Sequence, residues 1–288
     1  MKIAIFGNRN HKIEQIKRVF EILINQHIEI AVQEKFYNHI SSLGLHYNVT
    51  EIIKDQHFDA DLAISIGGDG TFLRTTAVIG KKDIPIFGIN AGRLGFLADV
   101  NEQDVDEALN EILTGKYHIE NRSMLQLSTE DKVFSGYNYA LNEIAILKQD
   151  TASMITVHAM VNKEYLNSYE ADGLIIATPT GSTAYSMSVG GPIVTPTASS
   201  LIISPVAPHS LTTRPLVIDD DREITLDVES RNKNFLISLD GRSNVFSVGT
   251  RLSIRKADFK LKVVKRIGHT FYSTLRDKLM WGVDSRNQ

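Results

Sequence analysis

The stretch DLAISIGGDGTFLRTTAVI, residues 61–79, decides the fold class of this chain. It opens with a short apolar run typical of a buried strand, turns at a pair of glycines and ends in TFLRTTAVI, a possible helix. The same alternation fills the first third of the chain, with strands predicted at 2–6, 28–32 and 84–90 and helices at 12–24 and 101–115. Alternating strands and helices predict an α/β domain with an open, mostly parallel sheet and helices on both faces.

After residue 120 the pattern changes, and apolar side chains recur at every second position. The alternating residues are Ile224, Leu226 and Val228, then Phe235, Ile237 and Leu239, and later Phe259, Leu261 and Val263. This period predicts a β-rich, antiparallel, sandwich-like domain. The segment STLRDKLMWG (273–282) returns to helical spacing. We therefore expect domains at 1–120 and 121–265, with 266–288 packing back on the first.

Composition narrows the class of protein. The 288 residues carry a net charge of −3 and no cysteine. The charge gives no basic field for nucleic acid or an anionic membrane, and the lack of cysteine excludes disulfides, thiolate nucleophiles and cysteine-ligated metals. The N-terminal MKIAIFGNRN does not resemble a signal peptide, and no apolar run is long enough to span a bilayer. We expect a soluble, cytoplasmic protein.

The glycine turn GGDGT (67–71) places a carboxylate where glycine loops usually hold phosphate. It lacks the lysine of a P-loop and the spacing of GxGxxG. An anion beside phosphate is repulsive, so Asp69 should face a hydroxyl or Mg²⁺ while the glycine N–H groups take the phosphate. An acceptor hydroxyl loses its proton during phosphoryl transfer, and a positioned Asp can accept it. The alternative is an Asp-Gly turn with no chemistry.

The stretch DGLIIATPTGSTAYSMSVGGP (172–192) joins an apolar strand to a loop rich in hydroxyl groups. Seven of the 11 residues at 178–188 carry a hydroxyl, and Gly181, Gly190 and Gly191 keep the backbone accessible. Neutral donors and acceptors at this density suit ribose hydroxyls, amides and phosphate oxygens. The alternative is a Ser/Thr turn without a ligand.

Two polar residues interrupt the apolar run ALNEIAIL (140–147). Asn142 and Glu143 would cost free energy inside a buried strand unless they were hydrogen-bonded. An adenine edge would satisfy the amide, and the carboxylate can accept from ribose hydroxyls. A bulge or a strand edge is the alternative.

Together these strings resemble the NAD kinase family. The matching motifs are GGDGT (67–71), NAGRLGFL (90–97), NE (142–143) and DGLIIATPTGSTAYSMSVGGPI (172–193), in the family's order. GGDGT alone is also found in lipid kinases and phosphofructokinases, whereas NAGRLGFL combined with TPTGSTAYS is specific. The resemblance implies an α/β nucleotide-binding domain, a β-rich domain and a site between them. It implies transfer of the γ-phosphoryl group of ATP to the 2′-hydroxyl of the adenosine ribose of NAD, dependent on Mg²⁺ or another divalent cation.

The resemblance also implies roles for individual residues. Asp69 is the expected proton acceptor and Gly70 its neighbour in the loop, while Arg74 lies near the phosphates. The residues expected to bind the dinucleotide are Asn142, Glu143, Asp172, Thr183, Ala184, Tyr185, Ser186, Met187, Ser188, Ala207 and Arg242. No protein side chains are assigned to the metal. A homotetramer or homodimer is implied as well, because neighbouring C-terminal domains help to build the site in many members.

Two other functions remain open from the residues alone. A lipid alcohol could replace NAD as the acceptor, although the sequence offers no membrane-docking segment. A nucleotide sensor could bind the dinucleotide without transferring phosphate. One departure from the family is Glu170, where several relatives carry Arg, so we leave it outside the site.

Three further features have a plain structural interpretation. Asp219, Asp220 and Asp221 look like a metal cluster, but their place between two strands favours a solvated turn. Trp281 is expected to pack against the protein. Arg93 could either contact phosphate or pair with a carboxylate.

Overall fold

The computed structural model describes residues 1–9, 12–90, 95–98, 100–130, 133–150 and 153–281. The chain forms two compact units: residues 1–121 together with those from 262 onward, and residues 122–261. Half of NAGRLGFL, residues 91–94 with Arg93 among them, lies outside the described residues. No helix in the described part of the chain is long and apolar enough to cross a membrane.

The first unit is a parallel α/β structure. Its elements are β1 (Lys2–Gly7), α1 (Ile13–Asn25), β2 (Glu29–Gln33), α2 (Glu34–Ser42), β3 (Glu51–Ile53), β4 (Leu62–Ile66), α3 (Asp69–Ile79), β5 (Ile86–Ile89), a 3₁₀ turn (Glu102–Asp104), α4 (Val105–Leu113) and, near the C-terminus, α6 (Phe271–Leu279). The strands run in the order β5-β4-β1-β2-β3 and every pairing is parallel. The predicted α/β class is confirmed.

The core of the first unit explains why its strands are apolar throughout. All five residues of β4 and all four of β5 are buried, which requires cover on both faces of the sheet. Helix α1 contributes Ile16, Phe20 and Leu23 to this core at helical spacing. The buried sheet thus holds β4 in position, and this positions the turn that follows β4.

The second unit is antiparallel. Its elements are β6 (Tyr117–Thr129), β7 (Tyr139–Ala140), β8 (Glu143–Lys148), β9 (Ile155–Val161), β10 (Glu164–Ala171), β11 (Gly173–Ala177), a 3₁₀ turn (Thr180–Thr183), α5 (Tyr185–Ser188), β12 (Ser200–Val206), β13 (Leu216–Asp219), β14 (Ile224–Ser230), β15 (Asn234–Leu239), β16 (Arg242–Ser247) and β17 (Leu252–Arg266). One sheet has the order β13-β12-β11-β8-β15-β16, and β10-β9-β14-β17 are hydrogen-bonded in a second. The predicted β-rich class is confirmed.

The two sheets of this unit share one apolar core. The inward side chains alternate along each strand, as with Phe235, Ile237 and Leu239 on β15 and Ile224 and Leu226 on β14. The opposite face of β11 is also buried, because Val189 and Val194 pack against it. That cover comes from the segment after the hydroxyl-rich loop, which therefore lies against the sheet.

The acidic run at the end of β13 forms a turn as predicted, with Asp219 and Asp221 exposed, but Asp220 is buried and its carboxylate pairs with Lys256 at 2.7 Å. The interpretation of Trp281 is wrong. Trp281 is 52% exposed rather than packed. Among the described residues no group of three or more His, Cys, Asp or Glu side chains is arranged to hold a metal ion.

Candidate functional site

Asp69 is the first residue of α3 and follows directly on the buried strand β4. Gly67 makes the turn possible, because its φ of 152° suits glycine and a Cβ there would overlap Thr71. The carboxylate therefore lies at the positive end of the helix, where the first backbone N–H groups have no partner within the helix. Such an end suits anions and phosphate.

The carboxylate of Asp69 accepts three backbone hydrogen bonds from one loop. Phe96 N–H donates to Oδ2 at 2.9 Å, and Leu97 and Ala98 donate to Oδ1 at 3.0 and 3.2 Å. Gly95 precedes these donors, and a Cβ at that position would overlap Oδ1. The structure thus joins the end of NAGRLGFL to GGDGT through one side chain that is 31% exposed.

Gly70 and Arg74 follow Asp69 on α3. A Cβ at Gly70 would meet only the tip of Arg74, so the backbone of this turn is open to a ligand. The guanidinium of Arg74 donates to Thr71 Oγ1 at 3.0 Å, and Asn8 Nδ2 donates to the same oxygen at 2.9 Å. Arg74 is exposed, so its other donors face solvent.

Asn142 and Glu143 stand where the apolar run breaks into two strands, β7 and β8. The break is stabilised by Asp240, whose carboxylate accepts from the backbone of Leu141 at 2.7 Å, Asn142 at 2.9 Å and Glu143 at 3.2 Å. Asp240 occupies the turn between β15 and β16 with a φ of 48°, a conformation that Asp tolerates better than most residues. The polar pair is therefore built into a turn held by the partly buried carboxylate of Asp240.

Glu143 carries the most perturbed carboxyl group of this region. Burial, and then the charge of Asp240, raises its pKa to about 8, while a hydrogen bond from the Tyr185 backbone opposes the shift. Among the described residues its Oε2 has no hydrogen-bond partner although the atom is buried. A buried polar atom without a partner costs free energy, so this oxygen is suited to a hydrogen bond with a ligand.

The hydroxyl-rich loop packs directly on the Asn142 backbone. Thr178 N–H donates to the Asn142 carbonyl at 2.8 Å, and the Thr178 hydroxyl donates to the Leu141 carbonyl at 2.5 Å. A Cβ at Gly181 would overlap the Asn142 carbonyl. Thr183 ends this turn with its hydroxyl donating to the Thr180 carbonyl at 3.3 Å. The structure thus brings this loop and Asn142 together.

Helix α5 divides its residues between the ligand-accessible surface and the protein interior. Tyr185 and Ser188 are exposed, and Ala184 and Met187 are partly exposed. Ser186 is fully buried and its hydroxyl lies 3.0 Å from that of Ser204. Its hydroxyl therefore serves the packing of the loop in this structure.

Arg242 lies near Asp240 but its guanidinium is committed to the backbone. It donates to the carbonyl of Tyr137 and, at 2.6 Å, to that of Tyr139, and it stacks over the Tyr137 ring at 5.5 Å. These contacts anchor the segment that leads into β7. Arg242 thus supports the backbone next to Asn142 and Glu143.

Asp172 and Ala207 lie elsewhere in the second unit. β11 pairs with β8 so that Ala177 faces Glu143 whereas Gly173 faces Leu147. Asp172 precedes Gly173 and is five residues from Ala177, so at about 3.4 Å per residue it lies roughly 17 Å from the Glu143 end of the strand. Asp172 pairs with Lys148 at 2.7 Å, and its N–H bonds to the residue before Ala207. The structure thus does not bring these two residues to Asn142 within one chain.

A cavity of about 580 Å³ lies at this second position, lined by Lys148, Glu170, Asp172 and His209 among others. Its charged groups are of both signs. Glu170, which the sequence comparison set aside, therefore faces the same cavity as Asp172.

Three residues with contacts in this geometry were missed from the sequence. Asp240 appeared only as part of a turn signal, DGRSN, and nothing local shows which backbone it would cap. Lys278 on α6 lies 3.7 Å from Asp69 but more than 200 positions away along the chain. Asn8 likewise donates a hydrogen bond to Thr71, a residue distant from it along the chain.

The fold and these groups define a class: two-unit nucleotide-binding proteins with a glycine turn before a helix in the α/β unit and a polar, hydroxyl-rich loop in the β unit. The model of the ATP-NAD kinase N-terminal domain matches residues 3–117, and that of the ATP-NAD kinase C-terminal domain matches residues 141–266. The chain belongs to the NAD kinase family.

Individual relatives agree with this assignment. The chain is 53% identical to an NAD kinase of Bacteroides fragilis, over 99% of this chain and 100% of the relative, and 46% identical to one of Flavobacterium psychrophilum over all of both chains. Its fold is similar to an NAD kinase from Archaeoglobus fulgidus in complex with ATP (TM-score 0.78, 27% identity, 97% and 99% covered). It is also similar in fold to yeast NADH kinase complexed with NADH (TM-score 0.89, 22% identity, 100% and 90% covered).

Proposed function

We propose that this chain transfers the γ-phosphoryl group of ATP to the 2′-hydroxyl of the adenosine ribose of NAD, with Asp69 as the proton acceptor. The NAD kinase activity follows from the family and from full-length relatives that are NAD kinases. The chain is thus an enzyme, a phosphotransferase that uses ATP and NAD. Membership of the NAD kinase family removes the reasons for considering a lipid alcohol as the acceptor or a nucleotide sensor without activity.

The place of Asp69 carries the mechanistic part of the proposal. Its carboxylate is partly exposed at the N-terminal end of α3, beside backbone N–H groups that suit phosphate oxygens. The ribose oxygen attacks the γ-phosphorus, the bond from that phosphorus to the β–γ bridging oxygen breaks, and ADP leaves. The hydroxyl proton passes to Asp69, which later returns it to solvent. Arg74, exposed on the same helix, supplies positive charge to the phosphates.

The second unit supports the dinucleotide end of the reaction. The buried, unpartnered oxygen of Glu143 suits a ribose hydroxyl, and Asn142 beside it suits the adenine edge. We propose Thr183, Ala184, Tyr185, Met187 and Ser188 as the loop surface against the adenosine. Ser186 supports that loop from within, and Arg242 anchors the backbone next to Glu143.

A divalent cation, Mg²⁺ by preference, belongs to this proposal. Mg²⁺ usually binds through substrate phosphates, water and one or two carboxylates rather than an all-protein cage. The ion neutralises phosphate charge when it is bound. We expect it to be carried in by ATP.

The position of Asp172 and Ala207 supports a proposal about assembly. They lie at the far end of β11 from Glu143, a place that suits their presentation to the dinucleotide of a second copy. We propose a homotetramer or homodimer with closed symmetry. Sedimentation velocity at assay concentration tests this point, and a fully active monomer would contradict it. A cytoplasmic location stays a prediction of the sequence.

The role of Asp69 is tested with Asp69→Asn. We expect kcat for NADP formation from ATP, Mg²⁺ and NAD to fall by about 10²- to 10⁴-fold, since a general base contributes that much. Exposed Asp59 provides the matched control, Asp59→Asn, which should keep the parent's turnover. Turnover that survives in Asp69→Asn would show that another group takes the proton.

A further inference from the structure

The C-terminal helix α6 places an ammonium group beside Asp69. Lys278 Nζ lies 3.7 Å from Asp69 Oδ2 and 4.5 Å above the centre of the Phe96 ring. Phe271, on the same helix, packs against Phe96 with ring centres 6.4 Å apart. The lysine thus approaches the carboxylate over the loop residue that also donates to it.

The hydrogen-bonding capacity of Asp69 is nearly filled. A carboxylate offers about four acceptor positions. Two on Oδ1 are taken by the N–H groups of Leu97 and Ala98, and one on Oδ2 by that of Phe96. The remaining position on Oδ2 is the one that Lys278 approaches, at a distance looser than a hydrogen bond. A hydroxyl that gives its proton to Asp69 must therefore take the place that Lys278 faces.

Phosphoryl transfer also brings like charges together at this point. A proton acceptor must lie within about 2.6–3.2 Å of the attacking hydroxyl, and reacting atoms approach to about 3–3.5 Å. The oxygens of the transferred phosphoryl group then come close to a carboxylate, which is repulsive unless a cation is present. An ammonium on a four-carbon stem has the reach and the three donors to meet those oxygens. The side chain of Lys278 is 28% exposed and so can shift.

We propose that Lys278 is a further catalytic residue of this reaction: it yields its place on Asp69 to the acceptor hydroxyl and contacts the oxygens of the transferred phosphoryl group. The proposal rests on the proposed role of Asp69. It assigns α6 a part in catalysis, because α6 carries the cation that lets a carboxylate and a phosphoryl group share one site.

The test is the variant Lys278→Met, which keeps the apolar stem against Phe96 and removes the charge. We expect kcat to fall by roughly tenfold or more while KM for NAD changes by less than about twofold, since the contact is made in the transition state. Lys278→Arg should restore much of kcat. Arg276→Met, an exposed change about 200° around the same helix, is the matched control and should keep the parent's kcat.

A second readout separates catalysis from packing. Ethylammonium added to Lys278→Ala should raise its kcat, because the free cation can occupy the vacated position, whereas a purely structural loss would not respond. Unchanged kcat in Lys278→Met would overturn the proposal, and so would a loss that neither Arg nor ethylammonium recovers. If Asp69→Asn is inactive while Lys278→Met is fully active, only the proposal for Lys278 fails. If Asp69→Asn stays active, the proposed function of Asp69 fails first.

Discussion

Asp69 in the first unit and Asp240 in the second make the same kind of contact with the backbone. Each carboxylate accepts three successive backbone N–H groups, from residues 96–98 in one case and 141–143 in the other. Each thereby shapes a segment that carries a family motif. They differ in their surroundings: both residues are partly exposed, but Asp69 has a lysine beside it, whereas the protein around the carboxyl group of Asp240 desolvates it.

That difference separates a group that can take part in chemistry from one that holds a loop. Burial raises the pKa of Asp240, although the three N–H groups and Arg242 oppose the shift. Arg242 gives its hydrogen bonds to the carbonyls of Tyr137 and Tyr139 rather than to Asp240. Asp69 keeps an open side toward Lys278. The same hydrogen-bond pattern positions Asn142 and Glu143 around Asp240, and at Asp69 it surrounds the group that we propose as the proton acceptor.

The largest expected effect is on stability and comes from removing Asp240, whose carboxyl group is desolvated by the protein around it. Asp240→Ala leaves three backbone N–H groups without their acceptor, each costing about 1–3 kcal/mol when buried, so the free energy of unfolding should fall by at least about 3 kcal/mol. Asp69→Ala should cost only about 1–2 kcal/mol, because water can reach the loop through its exposed side. Urea unfolding of both variants measures the difference.

Asp240→Asn serves as the control for this comparison. It keeps one acceptor oxygen and a residue that tolerates positive φ, so its loss of stability should lie between that of Asp240→Ala and the parent. Equal stability losses for Asp240→Ala and Asp69→Ala would show that burial does not distinguish the two carboxylates.

A smaller effect concerns Glu143, which Asp240 helps to keep protonated. Since its pKa is raised to about 8 from the ordinary 4.5, the folded protein keeps a proton that the unfolded chain releases in that interval. Stability therefore declines as pH rises from 4.5 toward 8. Glu143→Gln removes this decline and should exceed the parent's free energy of unfolding at pH 8 by at least about 1 kcal/mol.

Denaturant unfolding at several pH values between 4.5 and 8 checks this expectation. Glu164→Gln, on an exposed position of β10, controls for the loss of a carboxyl group as such. Parallel pH profiles for Glu143→Gln and the parent would mean that Glu143 releases its proton as readily in the folded chain as in the unfolded one.

Much of the architecture was predictable from the sequence because it rests on local periodicity. Buried strands such as β4 read as short apolar runs, and the half-buried strands β14 and β15 read as alternation. The turn before Asp69 was equally visible, since glycines mark a backbone that other residues cannot adopt. The boundary within ALNEIAIL was less clear, because the acceptor that stabilises the break lies about 100 positions away.

The candidate site shows the same division. The sequence picked out Asp69, Asn142 and Glu143, whose polarity conflicts with their apolar neighbours. It grouped Asp172 with them because they share motifs, whereas strand pairing puts Asp172 at the other end of β11. It could not distinguish Ser186, which is buried, from its exposed neighbours on the same short helix.

The sequence by itself determined the two kinds of sheet, the glycine turn that exposes a carboxylate, and the family to which those motifs belong. Each of these follows from interactions among neighbours along the chain. Only the tertiary structure decided which backbone Asp69 and Asp240 hold, and that Lys278 lies beside Asp69. Such contacts depend on how segments that are distant along the chain pack together. A hydrogen bond between such segments produces no periodic pattern in the sequence, so it cannot be recognised there.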